Sequence, residues 1–299
     1  MKRFLAITAS VVMVCVAIVI RSSIDSGGSG AKPSAGPITI ACATELEAQC
    51  KLLTNVTVRV EDASITAKAL AAGRTDIDGW VTFDPWPEIA NQLAQARVTG
   101  ETTRLAASAL VIAMVQERAA AMAPTCGGSV NWRCLGDAIG KQWPEVGGRP
   151  EWGTVKAGIP ATTSALGLLA LGNAASGFFG QTDFATNDFS DDFGIWRAKV
   201  TATPASFAEF ILKFPALFSA VGTTDQEVTS GKGTRPVATI SPSPAASAVV
   251  VLAEVNDRRA LDFVDDLTRL LIQSGWAQPP TTAGLPNAGV LLALSGLTR

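Results

Sequence analysis

Histidine and tyrosine are both missing from this 299-residue chain. Without histidine, Ser-His-Asp and Cys-His nucleophile systems and every imidazole metal site are excluded. No G-x-S-x-G or C-x-x-C occurs either. The Gly-Lys pair in "SGKGT" (230–234) lacks the upstream glycine of a phosphate-binding loop and reads as a turn. The motifs present assemble no nucleophile–base pair, so the chain reads as a non-enzyme, with no cofactor and no metal. An excess of charge of one sign is lacking too. Lys and Arg number 24 against 26 Asp and Glu, a net of −2, so nothing marks a nucleic-acid surface.

What the chain does have is apolar residues, 47% of the total, enough for one large core or two smaller ones. The first block lies at the N-terminus. Lys2 and Arg3 precede 17 uncharged residues, Phe4 to Ile20. That length suits a short membrane-spanning helix or a secretory signal. No small-x-small cleavage site closes the run, so residues 1–21 read as an uncleaved anchor, with a cleaved signal as the alternative. Positive charge ahead of the run predicts a single-pass cell-membrane protein with a cytoplasmic N-terminus and an extracytoplasmic body. Residues 22–36, "SSIDSGGSGAKPSAG", read as a flexible tether.

Export changes the reading of the remaining cysteines. Cys42 and Cys50, and Cys126 and Cys134, form two pairs, each eight residues apart. An oxidising compartment permits disulfides, and local pairing is the simplest of three connectivities. Free buried thiols are the alternative.

Along the body, strand and helix alternate. "PITIAC", "NVTVRV" and "DIDGWVTF" read as strands. "TELEAQCKLL", "SITAKALAAG" and "DPWPEIANQLAQAR" read as the helices after them, the first opened by a Thr44–Glu47 capping box. This order predicts an α/β layer with a mostly parallel sheet. "LAASALVIAMV" (105–115) reads as a strand leaving that layer. "VKAGIP" is a strand before the apolar helix "TTSALGLLALG", and "TPASFAEFILKF" (203–214) is a helix. "PALFSAVGT" is a strand, and "RPVATISPSPAASAVVVLAEV" (235–255) reads as two strands about a Pro/Ser turn. "DRRALDFVDDLTRLLIQSGW" is a strongly amphipathic helix.

This order resembles the type 2 periplasmic solute-binding protein family over roughly residues 37 to 280. The likeness rests on "ITIACATE", "TDIDGWVTF", "ALVIAMV", "WRCLGDAI" and above all "VKAGIPATTSALGLLAL". It is nearest in type to the actinobacterial cell-surface versions. The resemblance implies a two-lobed fold preceded by the transmembrane helix, with lobe 1 from 37–110 and 220–299 and lobe 2 from 111–219. It also implies a small polar solute between the lobes, and an ABC transporter permease or another envelope protein as partner. A degenerate cleft serving as a cell-surface scaffold is the second reading. The family's tyrosine contacts have no counterpart here.

Candidate ligand contacts follow from strand ends and helix starts, where free N–H groups collect. Thr162, Thr163 and Ser164 offer three hydroxyls where one cap suffices; ligand contact and a cap plus turn both stay open. Thr44 and Glu45 stand at the matching place in the first lobe, against the capping box. Asp84 and Trp86 follow the third strand, Trp86 as a stacking surface or a structural plug. Thr223, Thr224 and Asp225 follow the strand at 215–223. The acidic run at 182–196 reads as a solvated face. Glu45 and Asp84 argue against an anionic ligand, and the helix N-termini argue for one.

Overall fold

The computed structural model describes residues 38–299 apart from 186–188, 190–191, 204–210, 215, 232, 234, 256–262 and 299. The expected anchor, the tether and most of the helix expected at 203–214 lie outside the described residues. Among those described, no helix is long and apolar enough to cross a membrane.

Hydrophobic alternation decides which strands sit at the edge and which at the centre. In β2 (Val56–Glu61) half-buried residues alternate with exposed ones, while β3 (Gly79–Phe83) is buried throughout. Their places agree with this: β2 is an edge strand, followed by β1 (Ile38–Ala43), β3, β9 (Ser247–Glu254) and β4 (Thr102–Val115). β1 pairs in parallel with β2 and β3, and β9 runs antiparallel between β3 and β4. The valine run of β9 is buried on both faces, as that central place requires.

β4 has 14 residues, about 45 Å of extended chain. That length lets it serve two sheets. Thr102–Ala109 pairs with β9, whereas Leu110–Val115 pairs with β7 (Ala220–Thr224) and β8 (Val237–Ile240). β7 continues the second sheet to β5 (Ala157–Pro160) and β6 (Thr201–Thr203). The boundary expected at 220 therefore falls later. β7 and β8 pair within the second sheet, and the chain regains the first sheet only at Ser247, beyond the Pro/Ser turn.

Helices α1 (Glu47–Cys50), α2 (Ala63–Ala71), α3 (Trp86–Ala94) and α9 (Val264–Gln273) belong with the first sheet. α4 (Gln116–Met122), α5 (Trp132–Ala138), α6 (Ala165–Phe179), α7 (Asp192–Lys199) and α8 (Asp225–Ser230) belong with the second. α10 (Ala288–Ser295) packs on both α3 and α6. α6 is apolar nearly all round and buried accordingly. Its polar Asn173 accepts from the Trp132 indole at 3.2 Å and donates to the Pro244 carbonyl at 3.3 Å.

Both local disulfides are present, with Cα separations of 6.6 Å for Cys42–Cys50 and 5.5 Å for Cys126–Cys134. The helix expected over 44–53 is shorter than its pattern suggested. A 3-10 turn, Thr44–Leu46, leads into the single turn of α1. The Thr44–Glu47 capping box does not form. The Thr44 hydroxyl turns to Glu45 and Asp62 instead, which compete successfully for its one proton.

Candidate functional site

Three strand ends and two helix starts converge on a cavity of about 250 Å³. From the first sheet come Thr44 and Glu45, just past β1, and Phe83, the last residue of β3. From the second come Leu166 at the start of α6, Thr224 at the end of β7, and Gln226 and Glu227 on α8. Trp276, three residues past α9, closes the wall. This is the crevice beyond the carboxyl ends of strands, where α/β sheets hold ligands.

Glu45 dominates its electrostatics. Its Oε1 accepts the Leu166 N–H at 2.7 Å, so a carboxylate from the first sheet caps the first turn of α6 in the second. Its Oε2 lies 3.2 Å from the Thr44 hydroxyl. The cavity leaves Glu45 half-exposed, yet protein surrounds the carboxyl closely enough that burial pushes its pKa up from the ordinary 4.5. The Leu166 N–H opposes this, and neighbouring Asp62 adds to it. On the far wall, Glu227 accepts the Thr223 hydroxyl, and its N–H is held by Thr224 Oγ at 3.2 Å. Gln226 is tied to the Ser274 carbonyl at 2.8 Å. Trp276 tilts against Phe83 with ring centroids 5.7 Å apart.

The sign of the Glu45 shift gives a prediction. Below about pH 4.5 the group is protonated in folded and unfolded chains alike. As pH rises from there through the raised folded value, only the unfolded chain ionises readily, so stability falls. Glu45→Gln keeps an acceptor for the Leu166 N–H and removes the charge. It should be at least as stable as wild type at pH 7, with a flatter dependence of Tm from about pH 4 to about pH 7. A lower Tm at neutral pH, with the slope unchanged, would contradict the shift.

The cavity gathers Thr44, Glu45 and Thr224 but not the hydroxyl cluster. Ser164 is the N-cap of α6: its Oγ accepts from Gly167 N–H at 3.1 Å and donates to the Ala161 carbonyl at 3.0 Å. Thr162 donates to the Ser295 carbonyl at 3.5 Å. Thr163 is exposed, and its carbonyl accepts the Ser64 N–H at 3.1 Å. The Ser164 cap forms, and the start of α6 docks against the first sheet through Leu166 N–H and Glu45. Asp84 is drawn away to a 2.7 Å pair with Arg104. Trp86 is a plug, fully buried, with its indole donating to the Ala165 carbonyl at 3.0 Å. Asp225 is exposed in the first turn of α8, outside the wall.

Phe83, Leu166, Gln226, Glu227 and Trp276 complete the wall and were not singled out in the sequence. "TDQE" (224–227) carries the Thr-x-x-Glu spacing that could have found Glu227. A broader depression of about 900 Å³ lies beside α4, with Arg118, Arg149, Arg235 and Trp152 on its wall. It holds none of the expected contacts. Two of its arginines pair with carboxylates at its rim, Arg235 with Glu117 at 3.2 Å and Arg149 with Glu151 at 3.9 Å. We therefore favour the smaller cavity at the strand ends.

No protein-family model matches the sequence, and the search of curated proteins finds no relative. Solved structures do match. The periplasmic binding protein AfuA of Actinobacillus pleuropneumoniae, with exogenous fructose-6-phosphate bound, superposes at a TM-score of 0.53 and 12% identity. The match covers 88% of this chain and 95% of that one. The periplasmic binding protein P5PA matches at 0.50 and 12%, covering 88% and 96%. The fold is that of periplasmic binding proteins. At this identity the likeness speaks for architecture, and the site is argued from the residues of the chain itself.

Proposed function

We propose that residues 38–299 form a type 2 solute-binding module that holds a small polar ligand in the cavity between the two sheets. In this reading the N-terminal apolar segment tethers it outside the cytoplasm, where it serves an ABC transporter. The observation that carries the reading is the cavity wall. Residues from both sheets meet at strand ends, with two carboxylates, two hydroxyls, an amide and two aromatic rings around one small space. Ligand-dependent melting across a panel of cationic, neutral and anionic solutes tests it. A true ligand at a hundred times its Kd should add about 2.7 kcal/mol of stability. No shift anywhere in the panel would reject the reading.

A second reading, a scaffold with a sealed cleft, is favoured by how firmly the two sheets are tied. Glu45 to Leu166, Trp86 to Ala165 and Ser64 to Thr163 all cross between them. α10 adds a fourth tie. A flat panel, together with α10 holding the sheets as rigidly as their own cores, would turn the assignment to that reading.

A further inference from the structure

The start of α6 carries two caps of different origin. Ser164 takes the Gly167 N–H from the helix's own segment. Glu45 takes the Leu166 N–H from the other sheet, 121 positions away. The first N–H groups of a helix lack partners within it and favour an acid group, and α6 runs for 15 residues. An acid group is therefore expected there, but nothing in α6 requires it to come from the first sheet.

Three observations separate Glu45 from an ordinary cap. It lines a cavity: Glu45 and Leu166 both belong to the wall of the space of about 250 Å³, and Glu45 is half-exposed there. It is also held at a cost. Burial and Asp62 push its pKa up, and the Leu166 N–H opposes them without cancelling the rise. The same wall keeps a donor in reserve. Trp276 is only 6% exposed, and its indole N–H has no hydrogen-bond partner among the described residues. A buried donor without an acceptor is costly, so a solute that brings an acceptor oxygen relieves it.

Resting on the reading of this cavity as a solute site, we propose that Glu45 fills from within the place of a ligand's carboxyl group. The ligand is then a small carboxylic acid with a further acceptor oxygen. Its carboxyl takes the Leu166 N–H as Glu45 rotates into the open space, and its second oxygen takes the Trp276 N–H. The place suits an acid group beside Asp62, since Glu45 is one itself. Glu45 thereby sets the affinity of the site. A solute must displace an internal occupant, so its apparent affinity is reduced to the fraction of molecules in which the place is free.

Nuclear magnetic resonance of the full-length protein, titrated with acetate, tests this. Acetate matches the part of the side chain that Glu45→Ala removes, and the Leu166 amide resonance reports on the N–H in question. Acetate should move that resonance saturably in Glu45→Ala, with a Kd at least about tenfold below that of wild type. Glu45→Gln keeps a neutral acceptor, weaker than a carboxylate, and should fall between them. If Glu45→Ala does not fold, Glu45→Gln against wild type decides the matter. Glycolate, which adds a hydroxyl oxygen to acetate, should bind Glu45→Ala more tightly than acetate does, and adding Trp276→Phe should remove that advantage. Circular dichroism confirms that each variant is folded. Equal acetate affinity in all three proteins, or no movement of Leu166 in any, overturns the inference. A glycolate advantage that is absent, or that survives Trp276→Phe, overturns the contact with Trp276. Where the inference fails but a panel solute still raises the melting temperature of wild type, the solute-binding reading stands; a flat panel rejects both.

Discussion

Alanine at position 167 should destabilise the protein by about 3 kcal/mol, near the upper end for overpacking in a well-packed core. Gly167 lies in the first turn of α6, and its N–H is held by the Ser164 cap. A Cβ there would sit 2.1 Å from the Ala161 carbonyl oxygen and 2.7 Å from Pro160 Cβ. Neither is the free end of a flexible side chain. The Ala161 carbonyl also accepts both the N–H and the hydroxyl of Ser164. Moving it undoes the turn that seats the helix and presents the Leu166 N–H to Glu45. Helix propensity alone predicts the opposite sign, a gain of about 1 kcal/mol for Gly→Ala in a helix interior. Chemical denaturation of Gly167→Ala separates the two, and a stabilised variant would mean that the turn is free to adjust. The same close approach explains why a glycine stands two residues after the start of this mostly apolar helix.

Much of the architecture could be read locally. Alternating polarity in "NVTVRV", the apolar run from Leu105 to Val115 and the cysteine pairs eight residues apart each depend on neighbours in sequence. Each has its counterpart in β2, β4 and the two disulfides. The site was less legible because its partners are remote. Glu45 meets Leu166 across 121 positions, and no local pattern announces that a carboxylate from one sheet will cap a helix of the other. The three hydroxyls at 162–164 looked like a surplus for the same reason. Thr162 finds its acceptor 133 positions away, at the end of α10. Asp84 looked free beside its strand until Arg104, on β4, came alongside it. Trp276 is the plainest case. It ends the strongly amphipathic stretch 257–276, and nothing local marks it as part of a site. Only the approach of Phe83 and the start of α8 makes it the wall of a cavity.

Truncating Leu291 should cost about 2–5 kcal/mol, the range for a buried Leu→Ala substitution. Leu291 is fully buried in α10, the helix that touches both α3 on the first sheet and α6 on the second. Its Cδ2 would lie 2.4 Å from a Cβ on Gly172, so Gly172 has no side chain because Leu291 fills that space. Two consequences follow. First, the loss should be felt where the sheets meet. α10 also receives Arg197 Nη2 at the Leu294 carbonyl, 3.0 Å, and Thr162 at Ser295. Loosening it should raise hydrogen exchange at Leu166, whose N–H bridges the sheets, more than in β9, which lies within one of them. Equal acceleration in both would mean that α10 is ordinary core and ties nothing. Second, the cost should be partly recoverable. Gly172→Ala alone should destabilise by overpacking against Leu291. Placed on top of Leu291→Ala, the same methyl enters vacated space and adds helix propensity. The double variant should therefore be more stable than Leu291→Ala alone, with the coupling read from the cycle of four proteins. Simple addition of the two losses would show that α6 and α10 do not meet at this pair. It would also remove the packing basis for α10 as the tie that sets how far the cavity between the sheets can open.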